Sequence, residues 1–179
     1  MTKTASNSVV KINAEGIFYK ELNAQLRELV AKDARKIEIT NVCGQRYIGT
    51  DLNSPVQIDL YGTPGNDLGA FMNGPRIIVH GNAQDGCGNT MNEGEIIVHG
   101  HAGYVLGMSA RGGKIFVRDS IGYRAGIHMK EYKEKKPSLV IGGTAQDFVG
   151  EYMAGGILVL LGLNLAEGET HKAKYIAVG

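Results

Sequence analysis

Every 19 residues this sequence repeats a glycine pattern, Gly-x-x-Gly-x-x-x-Gly, and a period of that length points to a solenoid. The pattern runs Gly62/Gly65/Gly69, then Gly81/Gln84/Gly88, Gly100/Gly103/Gly107 and Asp119/Gly122/Gly126. After an interval of 24 it returns as Gly143/Gln146/Gly150. Glycines spaced this way bend a chain repeatedly and do not gather around one reacting centre, which lowers the odds of an enzyme. Glycine supplies 26 of the 179 residues, roughly twice the usual share of about 7%. With 4 prolines and no three-residue period, the excess belongs to turns and not to collagen or a low-complexity tract.

Counted from the first glycine of each unit, apolar residues at offsets 15 and 17 fall into line as Ile77/Val79, Ile96/Val98, Ile115/Val117 and Leu158/Leu160. Alternation with a period of two marks each as a short strand. Leu139/Ile141 join once five inserted residues are allowed for, and Ile37/Ile39 and Ile58/Leu60 extend the series backwards, giving seven strands at most. Offset 6 forms a second apolar column, Ile48, Leu68, Cys87, Leu106, Ala125 and Val149. Offset 10 forms a third, Met72, Met91, Ala110, Met129 and Met153. Three inward columns separated by glycine bends describe a coil with several short faces. Because the units measure 19 and lack a six-residue beat, the pattern predicts a right-handed parallel β-helix of about seven coils, an all-β fold. Within this single domain, residues 1–11 read as a flexible N-terminus and 12–36 as a strand and helix cap. Residues 37–179 form the solenoid. Tyr19 to Ala31 is the amphipathic helix, with Leu22, Leu26, Leu29 and Val30 on one face, and it is expected to cover the first coil or one flank. After Gly162 the pattern decays, with Tyr175, Ile176 and Val178 left as a last strand.

Residues between the inward strand positions should face water and be polar. The middle outward position instead runs Ile78, Ile97, Phe116, Val140 and Val159, a stripe expected to mark an interface. Either the Tyr19 to Ala31 helix or a partner protein has to cover it. Lys130 to Pro137 is the insertion behind the 24-residue interval, a charged segment expected to protrude as a loop.

Catalytic and metal-binding signals are thin. His80 and His99 share offset 18 in consecutive units, with His101 two residues on, so a small metal-dependent hydrolase or lyase is conceivable. Arg118 and Leu161 occupy the same column, however, and the pattern fixes no carboxylate beside it, so a solvent-facing polar column is the simpler reading. Cys87 lies in an inward column and reads as an inert buried thiol; no histidine is tied to Cys43 by spacing. The glycines lack the strand, loop and long helix of a phosphate cradle. We therefore expect no catalytic residue, no metal and no cofactor.

Nineteen basic against eighteen acidic side chains leave a net charge of +1, which gives no footprint for nucleic acid or an anionic membrane. No stretch reaches the 18 apolar residues of a membrane span, and Met1 to Ser8 has no apolar secretion segment. Two cysteines without a C-x-x-C spacing suit a reducing cytoplasm.

The repeated units, with NVCGQRYIGT at Asn41 to Thr50 and VGEYMAGGILVLLG at Val149 to Gly162, resemble the C-terminal β-helix domain of glutamate synthase large subunits. They are also similar to one of the component polypeptides of formylmethanofuran dehydrogenases. The resemblance covers nearly the whole chain from about Ile12 onward. It implies a right-handed β-helix without catalytic residues, packed between glutaminase and synthase parts in an assembly that makes glutamate. Some archaea and bacteria encode those parts as separate polypeptides, and a chain holding only this domain looks like one of them. The implied partners are glutaminase and flavin/iron–sulfur synthase subunits, with a homo-oligomer as a further possibility. The sequence itself shows no N-terminal cysteine nucleophile, no cluster of iron–sulfur cysteines and no flavin-binding barrel. Fewer units follow Gly162 than a full-length member would carry.

Overall fold

The computed structural model describes residues 9–169. Eight parallel strands stack in chain order into one sheet: β1 (Val10–Asn13), β2 (Lys36–Cys43), β3 (Gln57–Thr63), β4 (Asn73–Val79), β5 (Glu93–Val98), β6 (Lys114–Val117), β7 (Ser138–Ile141) and β8 (Ile157–Leu160). Each strand pairs only with its sequence neighbours. The connecting segments therefore return to the same face at every turn, and the result is a parallel β-helix. Like residues stack on like: Ile77 pairs with Ile96, Ile96 with Ile115 and Ile115 with Leu139. The expected maximum of seven strands is exceeded by β1, whose Val10 and Ile12 sit beside Ile37 and Ile39. The 27-residue step between them hid β1, because α1 (Tyr19–Ala31) interrupts the repeat there.

The three inward columns are buried. Ile77, Ile96, Leu68, Leu106, Met72 and Met91 are all fully shielded. A fourth inward column lies at offset 2, where Pro64, Ala83, Ala102, Ile121 and Ala145 fill the corner just after the strand. Its residues are mostly small because the glycine at offset 0 brings successive coils too close for anything larger. Without a side chain at Gly62, the backbone approaches so near that a Cβ would overlap the Val42 carbonyl oxygen. Gly81, Gly100 and Gly143, and in the second glycine column Gly65, Gly103 and Gly122, are likewise pressed against the preceding coil.

The third glycine of each unit has a different reason. Gly69, Gly88, Gly107, Gly126 and Gly150 all lie at φ between +64° and +70°, the left-handed region. They are the middle members of three left-handed residues per coil. In one coil these are Val105 (φ 50°), Gly107 (φ 64°) and Ser109 (φ 54°). Alternation of this kind aims successive N–H groups in opposite directions along the axis. Val105 N–H donates forward to Tyr123 O (2.8 Å), Gly107 N–H backward to Cys87 O (2.8 Å) and Ser109 N–H forward to Ile127 O (2.8 Å). A β-branched valine in the left-handed region is a genuine outlier, and bonds to two neighbouring coils hold it there.

The N-terminal end is closed by α1. Its Leu22 and Leu26 are buried in the solenoid core, and Asn23 Nδ2 donates to Arg46 O (2.9 Å) in the first coil. The helix stops at Lys32, whose N–H bonds back to the Glu28 and Leu29 carbonyls, with Asp33 at φ 67° turning the chain away. The Lys130 to Pro137 insertion does not stand free as expected. Tyr132 bridges Lys135 in a small turn, and Lys135 Nζ reaches back to Glu93 Oε2 (2.9 Å) and Asn73 Oδ1 (3.4 Å), tying three coils together. In the last coil Met153, Leu158 and Leu160 are half-buried. The strand expected at Tyr175, Ile176 and Val178 lies outside the described residues, as does the segment before Val9.

Candidate functional site

Strand pairing places the outward residues in one ladder. Asp59 pairs with Ile78, Ile78 with Ile97, Ile97 with Phe116, Phe116 with Val140, and Val140 with Val159. At a spacing of about 4.8 Å the five apolar members form a continuous ridge. Each is partly exposed. Between Ile97, Phe116, Val140 and Leu161 lies a shallow depression of about 300 Å³, with His99 and Arg118 on its rim. The helix does not lie along this ridge: no Cα of α1 comes within 8 Å of a Cα in any strand. Its ties go to the first coil instead, where Tyr19 also packs against the Tyr47 ring, centroids 5.9 Å apart.

The histidines are arranged differently from the three-ligand reading. Tyr61, His80 and His99 stack face to face, with centroids 4.4 Å and 5.5 Å apart. His101 turns away, accepting from Ser120 N–H at its Nδ1 (3.3 Å) and facing Asp119 (3.8 Å). Among the described residues no group of three His, Cys, Asp or Glu is placed to hold a metal.

The expectation that no carboxylate stands beside the histidine column is corrected. Asp59, at offset 16 of the preceding coil, accepts from His80 Nε2 (3.0 Å) and from Gln57 Nε2 (2.8 Å), with Lys36 Nζ at 3.7 Å. Its side chain is buried, 7% exposed, at the N-terminal limit of the apolar ridge. Burial pushes the carboxyl up, but the bonds from His80 and Gln57 and the charges of Lys36 and His80 outweigh it, so the net shift is downward. A carboxyl held below its unfolded value stabilises the fold above that value, about 3.9, and loses the contribution as pH falls through the folded one. Asp59→Asn is therefore expected to cost about 1–3 kcal/mol at neutral pH. The gap to wild type should close as the solution is acidified below about pH 4, as read by urea unfolding at several pH values.

The thiols divide clearly. Burial pushes the Cys87 thiol up to about 12, so it stays protonated and inert. Cys43 is exposed in a cavity of about 730 Å³ between the turn before α1 and the corner of β2 and β3. The cavity is lined by Phe18, Asn41, Gln45 and Tyr61 but by no histidine. It therefore offers no thiol–imidazole pair.

A further set of exposed aromatic contacts lay beyond the sequence reading. Tyr104 meets Tyr123 edge-on at 5.3 Å, Arg124 sits over Phe148 at 5.2 Å, and His128 stacks on Tyr152 at 5.2 Å. They occupy offsets 4, 5 and 9 around the left-handed residues, and no regular spacing in the sequence links them.

Glycine columns, inward columns and corner geometry together meet a known pattern, for the GXGXG motif family matches residues 13–177. The chain belongs to that family. It is the family of the C-terminal domain of glutamate synthase large subunits. This GXGXG domain is also similar to the uncharacterized protein MJ1350 of Methanocaldococcus jannaschii, with 53% identity over 173 residues. That span is 95% of this chain and 66% of the relative, so the chain corresponds to about two thirds of the relative's length. No helix of the GXGXG domain is long and apolar enough to cross a membrane, among the described residues.

Proposed function

We propose that this GXGXG domain is a non-catalytic scaffold of a glutamate synthase-type oxidoreductase in the reducing cytoplasm. In this reading it holds the glutaminase and flavin/iron–sulfur synthase parts together through the outer face of its sheet. The observation that carries the reading is the ridge from Ile78 to Val159, five partly exposed apolar side chains that α1 leaves open. An apolar ridge rimmed by His99, Arg118 and Lys114 has the make-up of a docking face, an apolar centre with a polar border. Two free thiols, one of them exposed, accord with a reducing compartment.

Co-expression with a separately encoded glutaminase and synthase tests this. The wild-type chain is expected to be retained by one or both. Phe116→Asp, which places a charge at the centre of the ridge, is expected to weaken retention about 100-fold while leaving the circular dichroism spectrum unchanged. A chain retained by neither polypeptide, or bound instead by the molybdenum/tungsten components of a formylmethanofuran dehydrogenase, would sink the reading.

A further inference from the structure

The two ends of the solenoid are not equivalent. At the first coil α1 buries Leu22 and Leu26 over the core, whereas β8 has β7 as its one strand neighbour among the described residues. Its inward residues Leu158 and Leu160 are partly exposed, although the equivalent positions in β3 to β7 are shielded almost completely. Ile157 and Leu161 are 49% and 52% exposed. Natural sheets guard such an edge with charges, proline or a bulge. Here those devices are missing: from Tyr152 to Ala166 there is no charged residue and no proline. Position 157 is isoleucine, where the preceding coils carry Gln57, Arg76, Glu95, Lys114 and Ser138.

The hydrogen-bonding pattern of the edge limits what can fit it. Ile157 N–H donates to Pro137 O and Leu161 N–H to Ile141 O, both at 2.9 Å, so the backbone groups of residues 157, 159 and 161 face β7. Those of Leu158 and Leu160 point to the open side, by the alternation of a strand ladder. A second β8 running antiparallel about a two-fold axis at Val159 sets Leu158 opposite Leu160 of the other copy, and Leu160 opposite its Leu158. Both pairs are then hydrogen-bonded pairs, and every open backbone group of the two leucines is matched. The side chains agree as well, because inward leucines meet inward leucines while Ile157 meets Leu161 on the outer face. A slip by one residue would oppose inward to outward side chains. Two uncharged edges approach without repulsion, and α1 at the far end prevents head-to-tail stacking, which leaves only an isologous contact.

We propose that two copies of this chain join end to end through β8, forming one continuous antiparallel junction centred on Val159 that closes the core over Leu158 and Leu160. Sedimentation of the full chain is expected to show a dimer. Val159→Lys, which sets two ammonium groups on the axis, is expected to weaken the dimer by about 100-fold or more. Val140→Lys, one coil back, is expected to leave it intact. The register has its own test that does not depend on how the lysine variant folds. In a Cys43→Ser background, Val159→Cys lies in a non-hydrogen-bonded pair with itself, at a separation of about 4.5 Å that admits a disulfide. It should cross-link on mild oxidation, whereas Leu161→Cys, which faces Ile157 of the other copy, should not. A monomer at every concentration, with the edge covered by residues 170–179 or by another chain, would overturn the proposal. So would a dimer that ignores both substitutions at Val159.

Discussion

Gly62→Ala is expected to remove about 3 kcal/mol or more of unfolding free energy, while Gly44→Ala removes about 1. Both glycines have positive φ, +124° and +76°, so both substitutions carry backbone strain. They differ in what the new methyl group meets. At Gly44 nothing lies within 4 Å. At Gly62 the methyl would overlap the carbonyl oxygen of Val42, and the carbon and nitrogen of the same residue lie 3.0 Å away. These are backbone atoms of a paired strand with no rotamer to swing aside, so relief requires the second and third coils to separate. Val42 also sits where the β2–β3 register shifts, so the coil is already irregular at this point. Urea unfolding of the two variants, compared at equal m-value, decides the matter. Equal losses would mean that positive φ alone explains the glycine pattern, and that close approach between coils contributes nothing.

That comparison also shows why the sequence was legible in some places and opaque in others. The columns Leu68/Cys87/Leu106 and Ile77/Ile96/Ile115 could be read because burial demands apolar residues at fixed intervals, and the interval is short enough to repeat along the whole solenoid. The column Pro64/Ala83/Ala102/Ile121/Ala145 was missed because a crowded corner selects for small size, and alanine carries little signal of burial. Left-handed backbone was legible only where it fell on glycine. At Val105, Arg124 and Phe148 the same conformation is imposed by bonds to neighbouring coils, against the preference of the residue itself. The Asp59–His80 pair was hidden for a third reason. Its members occupy different offsets in consecutive coils, so no single column contains both. The ridge from Ile78 to Val159 could be read in full, because an outward apolar column breaks the polar expectation at every step. That α1 does not cover it could not be read. An amphipathic face shows that a helix is covered on one side, but not which surface it meets.

The second large effect is expected at Leu106. Leu106→Ala should cost about 3 kcal/mol, within the range for a buried leucine whose surroundings cannot collapse. Leu106 is fully shielded, and its column neighbours Cys87 and Ala125 are both smaller, so its side chain fills space that neither can reach. The backbone on either side is fixed by the left-handed residues Val105 and Gly107, which leaves little freedom for inward relaxation. Leu158→Ala removes the same atoms from a partly exposed site in the last coil, and in dilute solution it should cost less than about 1.5 kcal/mol. In a solenoid each coil contacts only its neighbours, so damage at the centre breaks two interfaces and damage at the end breaks one. The end-to-end junction adds a condition. If two β8 strands close over each other, Leu158 becomes a core residue of the dimer, and the cost of its removal should rise with protein concentration while that of Leu106 stays constant. Chemical unfolding of both variants across a roughly hundredfold concentration range therefore distinguishes an end that stays in water from one closed by its own copy.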